Sequence, residues 1–311
     1  LNGVNGGRYL QQVARKGHFN VVKTLIDHGA DANPSLNVRY PEAPLYIAYA
    51  TGDLEMMKYL VDAGANANAL ASYFQGVTAL QDAIETVGVA SAQSLLEAGA
   101  DVNAPGSEIY GETAIQKAAL IRRGYIKLVE YALSRGADIH RFTEGKEGRS
   151  PIQLAAEQGS LQIAKVLFSH GASVHAPATI NHGWTALQAA VSSAQLNLKL
   201  IEFLLTQGAD INAPPCLQRG VIALQGAAIG GHVKIVYLLV RKGANVNATP
   251  SIIKERTALD GAAEHGRLDV VQLLIESGAT SESFGENGFK RAMELAEDNG
   301  HFEVVKLLRK Q

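Results

Sequence analysis

The segment Ile222–Asn247 has the sequence IALQGAAIGGHVKIVYLLVRKGANVN and decides the fold of this chain. Its first eight residues are small and apolar, which predicts a short helix that can pack closely against a neighbour. After the Gly-Gly pair, apolar residues recur at helical spacing from Val233 to Val240 and predict a second helix. Gly243 predicts the end of that helix, because glycine accepts a positive φ at a helix C-terminus. The segment therefore predicts two helices joined by a tight turn and followed by a projecting loop.

Variants of this unit follow one another along the whole chain. The start of the first helix recurs nine times, near residues 8, 43, 78, 113, 150, 185, 222, 257 and 291. The Gly-Ala pair that ends the second helix recurs at Gly29, Gly64, Gly99, Gly136, Gly171, Gly208, Gly243 and Gly278. A single unit cannot bury its apolar stripes, whereas stacked copies bury them continuously. The pattern predicts an all-α solenoid of nine helix-turn-helix repeats with projecting loops.

The first-helix motif resembles the ankyrin signature T-P-L-H-x-A. It has the form TALQDA from Thr78, TAIQKA from Thr113 and TALQAA from Thr185. The resemblance covers essentially the whole chain and implies an ankyrin-repeat solenoid that acts as a protein-binding scaffold. TALQ-type units followed by NAP are similar to the ankyrin arrays of filamentous fungi. In that group such arrays often follow an NTPase or another effector domain, which implies the recognition array of a longer intracellular receptor.

The chain departs from the ankyrin signature at two positions, and the signature proline remains only at Pro44 and Pro151. Glutamine replaces the signature histidine at Gln11, Gln81, Gln116, Gln153, Gln188 and Gln225. Since glutamine both donates and accepts hydrogen bonds, we expect the local polar brace to be kept. Two repeats also carry extra residues between their helices, near 120–124 and 192–197. We expect these insertions to lengthen a turn or a helix without disturbing the stack.

Composition narrows the possible partners and compartments. The formal net charge is −2, which gives no electrostatic argument for binding nucleic acid or an anionic membrane. No apolar run is long enough to span a membrane. The single cysteine, Cys216, fits a reducing compartment, so we expect a cytoplasmic or nuclear protein. The chain begins without methionine, and we expect one ankyrin-repeat domain over residues 1–311, a monomeric fragment of a longer protein.

The sequence indicates neither a cofactor nor a metal site. His140 and His175 replace a finger-loop asparagine in adjacent units, but no cysteine or carboxylate stands beside them at ligand spacing. Phosphate-binding glycine motifs are absent from the sequence. We therefore expect no cofactor, no metal and no catalytic residue.

Large apolar side chains in the projecting finger loops form the first candidate binding set. Polar turns are usually poor in aromatic residues, whereas aromatic side chains anchor protein interfaces. Two interpretations are open: a stripe that binds a protein partner, or side chains that fold back and stiffen each finger. The set comprises Tyr40, Tyr73, Phe74, Ile109, Tyr110, Ile180, Trp184, Leu217, Ile252 and Ile253.

The first helices supply the second candidate set. The ankyrin resemblance implies that the residue after the signature glutamine faces the binding groove, which places Asp82, Lys117 and Gly226 there. One turn further along the helix come Glu85 and Glu264. Asp82 and Glu85 could serve as an acid/base pair or as an acidic face that selects a basic partner.

Small residues on the first helices allow two further interpretations. Ala189, Gly226 and Gly261 occupy the groove position of three repeats. They predict either a local hollow bordered by Ile229, Glu264 and His265, with Trp184 above it, or simply tight curvature of the stack. A hollow would favour a rival function, in which the groove binds a small molecule or performs catalysis. A passive structural spacer is the remaining alternative to protein recognition.

Overall fold

A computed structural model describes residues 4–35, 42–69, 77–86, 88–105, 111–121, 125–142, 148–178, 183–216, 220–248, 256–280 and 289–311. The regular structure of these ranges is helical, as the repeat pattern predicts. The helices are α1 Val4–Arg15, α2 Phe19–Asp27, α3 Pro44–Ala50, α4 Leu54–Asp62, α5 Ala79–Thr86, α6 Val89–Glu97, α7 Ala114–Leu120, α8 Ile126–Ser134, α9 Pro151–Glu157, α10 Leu161–Ser169, α11 Ala186–Ser192, α12 Leu198–Thr206, α13 Ala223–Gly230, α14 Val233–Arg241, α15 Ala258–Glu264, α16 Leu268–Glu276, α17 Lys290–Asp298 and α18 Phe302–Leu308.

The chain divides into two compact units. Unit one comprises residues 1–145 and 169–171 and contains helices α1–α8. Unit two comprises residues 146–168 and 172–311 and contains helices α9–α18. The last residue of α10, Ser169, is assigned to unit one. Each repeat supplies a first helix with an odd number and a second helix with an even number. The expectation of a single domain over residues 1–311 stays a prediction.

Helices of the same kind pack against each other within each unit. In unit one α5 packs against α3 and α7, and α6 packs against α4 and α8. In unit two α13 packs against α11 and α15, and α14 packs against α16. The first helices can approach closely because their contact residues are small: Ala223, Ala227 and Ala228 are all buried. The predicted helical pairs are therefore confirmed, with a core of alanine, leucine and valine.

The glycines of the opening segment have the backbone conformation that the sequence predicts. Gly231 follows α13 with a φ of 75°, and Gly243 follows α14 with a φ of 95°. The amide of Ala244, after Gly243, donates to the carbonyl of Leu239 at 2.9 Å and closes the C-terminal turn. Residues with a side chain disfavour this left-handed conformation, which explains the glycine at both turns.

The six signature glutamines brace their first helices against the finger loops that follow them. Gln153 is buried, and its Oε1 accepts a hydrogen bond from the amide of Ser150 at 2.8 Å. Its Nε2 donates to the carbonyls of Ala176 at 3.1 Å and Pro177 at 3.0 Å. Gln81 and Gln188 make the equivalent bonds. The prediction that glutamine keeps the polar brace is confirmed.

Asparagines at the base of five fingers connect their repeat to the next: Asn33, Asn68, Asn103, Asn212 and Asn247. In unit two Asn212 donates through Nδ2 to the carbonyl of Gly243 at 3.2 Å. Its Oδ1 accepts from the amide of Asn245 at 2.8 Å. In unit one Asn33 makes the same pair of bonds to Gly64 and Asn66. These side chains fix the spacing between successive fingers, because they satisfy one backbone donor and one backbone acceptor of the neighbour.

The predicted inter-helix insertion near residues 120–124 lies largely outside the described residues, whereas the one near 192–197 is a turn in unit two. Residues 193–197 separate α11 from α12, and Asn197 accepts through Oδ1 from the amide of Leu200 at 3.3 Å to cap α12. Asn197 also donates through Nδ2 to the carbonyl of Gly159 at 3.0 Å. The extra residues thus lengthen the turn and tie it to the previous repeat.

Candidate functional site

Four polar side chains on the first helices of unit one form two cross-repeat pairs. Tyr46 on α3 donates a hydrogen bond to the carboxylate of Asp82 on α5. Glu85, one turn further along α5, lies with its Oε2 2.8 Å from Nζ of Lys117 on α7. Each pair joins neighbouring repeats, so the charged groups of this surface are held in fixed positions. We call Tyr46, Asp82, Glu85 and Lys117 the unit-one polar row.

Burial affects the ionisation of both partners in the Tyr46–Asp82 pair. Burial raises the pKa of Tyr46 to about 12, and the adjacent negative charge of Asp82 adds to the effect. Burial also raises the pKa of Asp82, while its hydrogen bond from Tyr46 acts in the opposite direction. Each of the two carboxylates has its own partner: Tyr46 donates a hydrogen bond to Asp82, and Lys117 forms a salt bridge with Glu85. The pairing favours a positioned binding surface over an acid/base pair.

An arginine, a tryptophan and a glutamate meet at the start of unit two. Arg149 precedes the N-cap of α9 and pairs with Glu157 at the other end of the same helix. The guanidinium carbon of Arg149 also lies 6.0 Å from the ring centroid of Trp184, a cation–π contact. Trp184 is half-buried. Its indole is therefore held against a charged neighbour rather than projecting alone.

The same arginine–glutamate arrangement recurs three repeats later. Arg256 precedes the N-cap of α15, and its Nη2 lies 2.7 Å from Oε1 of Glu264 at the end of that helix. His265 follows, with its Nδ1 3.0 Å from the carbonyl of Gly261 and 3.8 Å from Oε2 of Glu264. Glu264 therefore lies between His265, its neighbour in sequence, and Arg256, with which it forms a salt bridge.

The glycines of this surface are packed against neighbouring side chains. A Cβ on Gly261 would lie 2.6 Å from Cγ1 of Ile229 on α13. A Cβ on Gly226 would lie 3.2 Å from Oγ of Ser192 and 3.5 Å from Cγ2 of Val221. Ile229, which we expected at the border of a hollow, fills the space above Gly261 instead. The geometry thus leaves no hollow above Gly261.

A cavity of about 460 Å³ lies between two successive fingers of unit two. His175, Pro177 and Pro214 border it, and the buried Cys216 contributes to its lining. His175 occupies the position that asparagine holds in most repeats, and its Cε1 lies 3.7 Å from the point where a Cβ on Gly208 would be. The imidazole of His175 therefore lies over Gly208. In repeats with an asparagine at this position, as at Asn212, the side-chain amide instead donates to the carbonyl of the equivalent glycine, Gly243.

The finger residues of the first candidate set lie mainly outside the described ranges. Trp184 is the one described member, and its contacts are given above. The others are Tyr40, Tyr73, Phe74, Ile109, Tyr110, Ile180, Leu217, Ile252 and Ile253. Their assignment to partner binding stays a prediction, and so does the assignment of Asp82, Glu85, Lys117, Gly226, Glu264 and His265.

Sequence reasoning missed three residues that organise these surfaces: Tyr46, Arg149 and Arg256. Each could be found by comparing equivalent repeat positions. Tyr46 stands where most first helices carry the signature glutamine, and the arginines precede an N-cap and are followed eight residues later by glutamate.

The comparison with protein-family models identifies the repeat. The model described as "Ankyrin repeats (3 copies)" matches residues 9–106, 115–215 and 214–285. The chain belongs to the ankyrin repeat family. The crystal structure of the human ASB11 ankyrin repeat domain has a TM-score of 0.61 and 27% sequence identity; the match covers 76% of this chain and 98% of that chain. A comparison with curated proteins finds no match.

Membership of the ankyrin repeat family indicates the general type of function of such surfaces. Ankyrin repeats are generally protein–protein interaction modules, and the fold is typically a non-catalytic scaffold. None of the helices in the described ranges is both long and apolar enough to cross a membrane. Nor do three histidine, cysteine, aspartate or glutamate side chains of the described residues come together as a metal site.

Proposed function

We propose that this ankyrin array recognises a protein partner through the surface formed by its first helices and finger loops. The paired side chains on the first helices carry the proposal. Lys117 and Glu85 are joined across repeats at 2.8 Å, and Arg149 binds both Glu157 and the face of Trp184. Side chains that are already ordered lose little entropy on binding, so such a surface is suited to recognition.

The cavity between the fingers of unit two supports the same proposal. Its 460 Å³ is large enough for an apolar side chain of a partner, and prolines on both fingers restrict its walls. Ile180 and Leu217 belong to these two fingers in the sequence. An interface anchored in such a cavity has the usual arrangement of an apolar centre with a polar rim.

The resemblance to fungal arrays extends the proposal to a biological role. The chain would be the recognition array of a longer intracellular receptor, acting in the cytoplasm or nucleus as a monomer. An effector or NTPase domain encoded upstream of Leu1 in the same reading frame would support this role. A start codon immediately before Leu1 would contradict it.

Affinity capture with the purified chain tests the binding surface. A variant with Tyr73, Phe74, Tyr110 and Trp184 replaced by alanine should lose the captured partner while keeping its helical circular dichroism. A control variant with Lys58→Ala and Lys127→Ala, on the exposed faces of α4 and α8, should capture the same protein as wild type. Equal capture by all three proteins would contradict the proposed surface.

A further inference from the structure

The second helix α14 differs from the other second helices at one exposed position. The fifth residue of α14 is Tyr237, and 56% of its surface is exposed. The other eight second helices carry a charged or amide side chain there: Lys23, Lys58, Gln93, Glu130, Lys165, Glu202, Gln272 and Lys306. Because polar residues occupy this outward position everywhere else, the repeat scaffold itself does not require an aromatic side chain at Tyr237.

The last position of α14 differs in its charge. It is Arg241, whereas the other nine-residue second helices end on a carboxylate or a hydroxyl: Asp27, Asp62, Glu97, Ser134, Ser169, Thr206 and Glu276. The sequence contains no aspartate or glutamate between Asp210 and Glu255. In a chain with a net charge of −2, this is a locally basic segment, and α14 lies in its middle.

Tyr237 borders an apolar cleft of about 530 Å³ formed by three second helices of unit two. Leu198 of α12, Val233 of α14 and Leu273 of α16 line it. Val233 is 38% exposed, and Leu198 is exposed to the same extent. Exposed aliphatic and aromatic groups around a cleft provide the desolvated centre that a protein interface needs.

Two cations lie on either side of Tyr237 on the same helix face. Lys234 is one turn before it and Arg241 one turn after it, and both line the cleft. Within the described ranges neither side chain makes a hydrogen bond or a salt bridge. The cleft thus combines an apolar floor with two cations that have no carboxylate partner in the described structure.

We propose that this α14 face, made of Leu198, Val233, Lys234, Tyr237, Arg241 and Leu273, binds an acidic peptide segment of another protein. One apolar side chain of the segment enters the cleft, and carboxylates on either side pair with Lys234 and Arg241. The site lies on second helices and is independent of the first-helix and finger surface proposed above. A peptide fits better than an anionic membrane, because basic clusters that bind anionic lipids contain about four to eight lysines and arginines, whereas this cleft has two. The carboxylates of the segment pair at Lys234 and Arg241 and not beside Glu202, which also lines the cleft.

Peptide selection against the full chain tests this inference. Random peptides displayed on phage are selected on wild type, and labelled copies of the enriched peptides are titrated by fluorescence anisotropy. We expect acidic peptides that contain an aromatic or aliphatic anchor. Tyr237→Gln and Arg241→Glu, which install the residues found in α16, should each weaken binding by about tenfold. Unchanged thermal unfolding shows that these variants fold.

Matched controls make the outcome decisive. Lys127→Glu changes the same helix position as Lys234 but lies on α8, so it should leave the affinity unchanged. The inference is overturned if no enriched peptide loses affinity with Tyr237→Gln, or if the enriched peptides are basic. It is also overturned if Tyr237→Gln abolishes binding to phosphatidylserine vesicles, or abolishes a dimer seen by analytical ultracentrifugation, because the occupant is then a membrane or a second copy.

Discussion

Nζ of Lys117 lies 2.8 Å from Oε2 of Glu85, and the two side chains differ greatly in exposure. The lysine side chain is only 10% exposed, whereas the glutamate is 64% exposed. A partly buried ammonium loses part of its hydration and gains from a carboxylate that fixes it. The glutamate, by contrast, keeps a free edge toward solvent. The pair therefore both joins two repeats and presents a charge that a partner can contact.

A double-mutant cycle measures the strength of this pair. Glu85→Gln, Lys117→Met and the double variant are compared with wild type by denaturant unfolding. We expect a coupling free energy of about 0.5–1 kcal/mol, because one partner is exposed and screened by water. The Glu303–Lys306 pair of α18, in which both side chains are exposed, should give a smaller value. Equal coupling in the two cycles would contradict a role for burial.

Loss of a signature glutamine should be costly. Gln153→Ala leaves the amide of Ser150 and the carbonyls of Ala176 and Pro177 without their side-chain partner. Unsatisfied buried groups cost about 1–3 kcal/mol each, so we expect a drop of at least about 1 kcal/mol in the free energy of unfolding. Gln162→Ala, at an exposed position of α10, is the matched control and should have little effect. Similar stabilities of the two variants would show that the brace is dispensable.

The two glycines of the first-helix surface should respond differently to an added methyl group. Gly261→Ala places a Cβ against Ile229 and should destabilise the protein by about 1–3 kcal/mol through overpacking. Gly226→Ala meets mainly the mobile hydroxyl of Ser192, and the higher helix propensity of alanine should offset the contact. Adding Ile229→Ala to Gly261→Ala should recover part of the loss. If both glycine variants are neutral, close packing does not explain these residues.

The stability of the protein should depend on Tyr46 at alkaline pH. Burial and the charge of Asp82 raise the pKa of Tyr46 from 10.0 to about 12. Between these values the unfolded chain loses the tyrosine proton while the folded chain keeps it, so stability falls as the pH rises. Unfolding titrations across this range should show a steeper decline for wild type than for Tyr46→Phe. Parallel pH profiles would contradict the assigned environment of Tyr46.

The repeat pattern predicted the helices because it determines local structure and burial together. The repeat period predicted the positions of the helix pairs, and the glycines predicted the turns. The glutamine that replaces the signature histidine predicted the hydrogen bonds seen at Gln153. The interactions of the candidate site depend instead on which side chains meet across repeats. Tyr46 meets Asp82 and Ile229 meets Gly261 only after stacking, so the hollow at Gly261 could not be judged from composition alone. Within the sequence, such contacts could be anticipated only where a residue departs from the repeat pattern, as Tyr46 and Tyr237 do.

The dissociation constant of a captured partner tests the central claim most directly. It should be measured by calorimetric titration for wild type, for Trp184→Ala with Glu85→Ala, and for the α4 and α8 control variant. We expect the first-helix variant to bind at least about tenfold more weakly, because it loses an aromatic anchor and an exposed charge. The control should match wild type. Equal affinity of all three proteins would show that the partner does not bind the first-helix and finger surface.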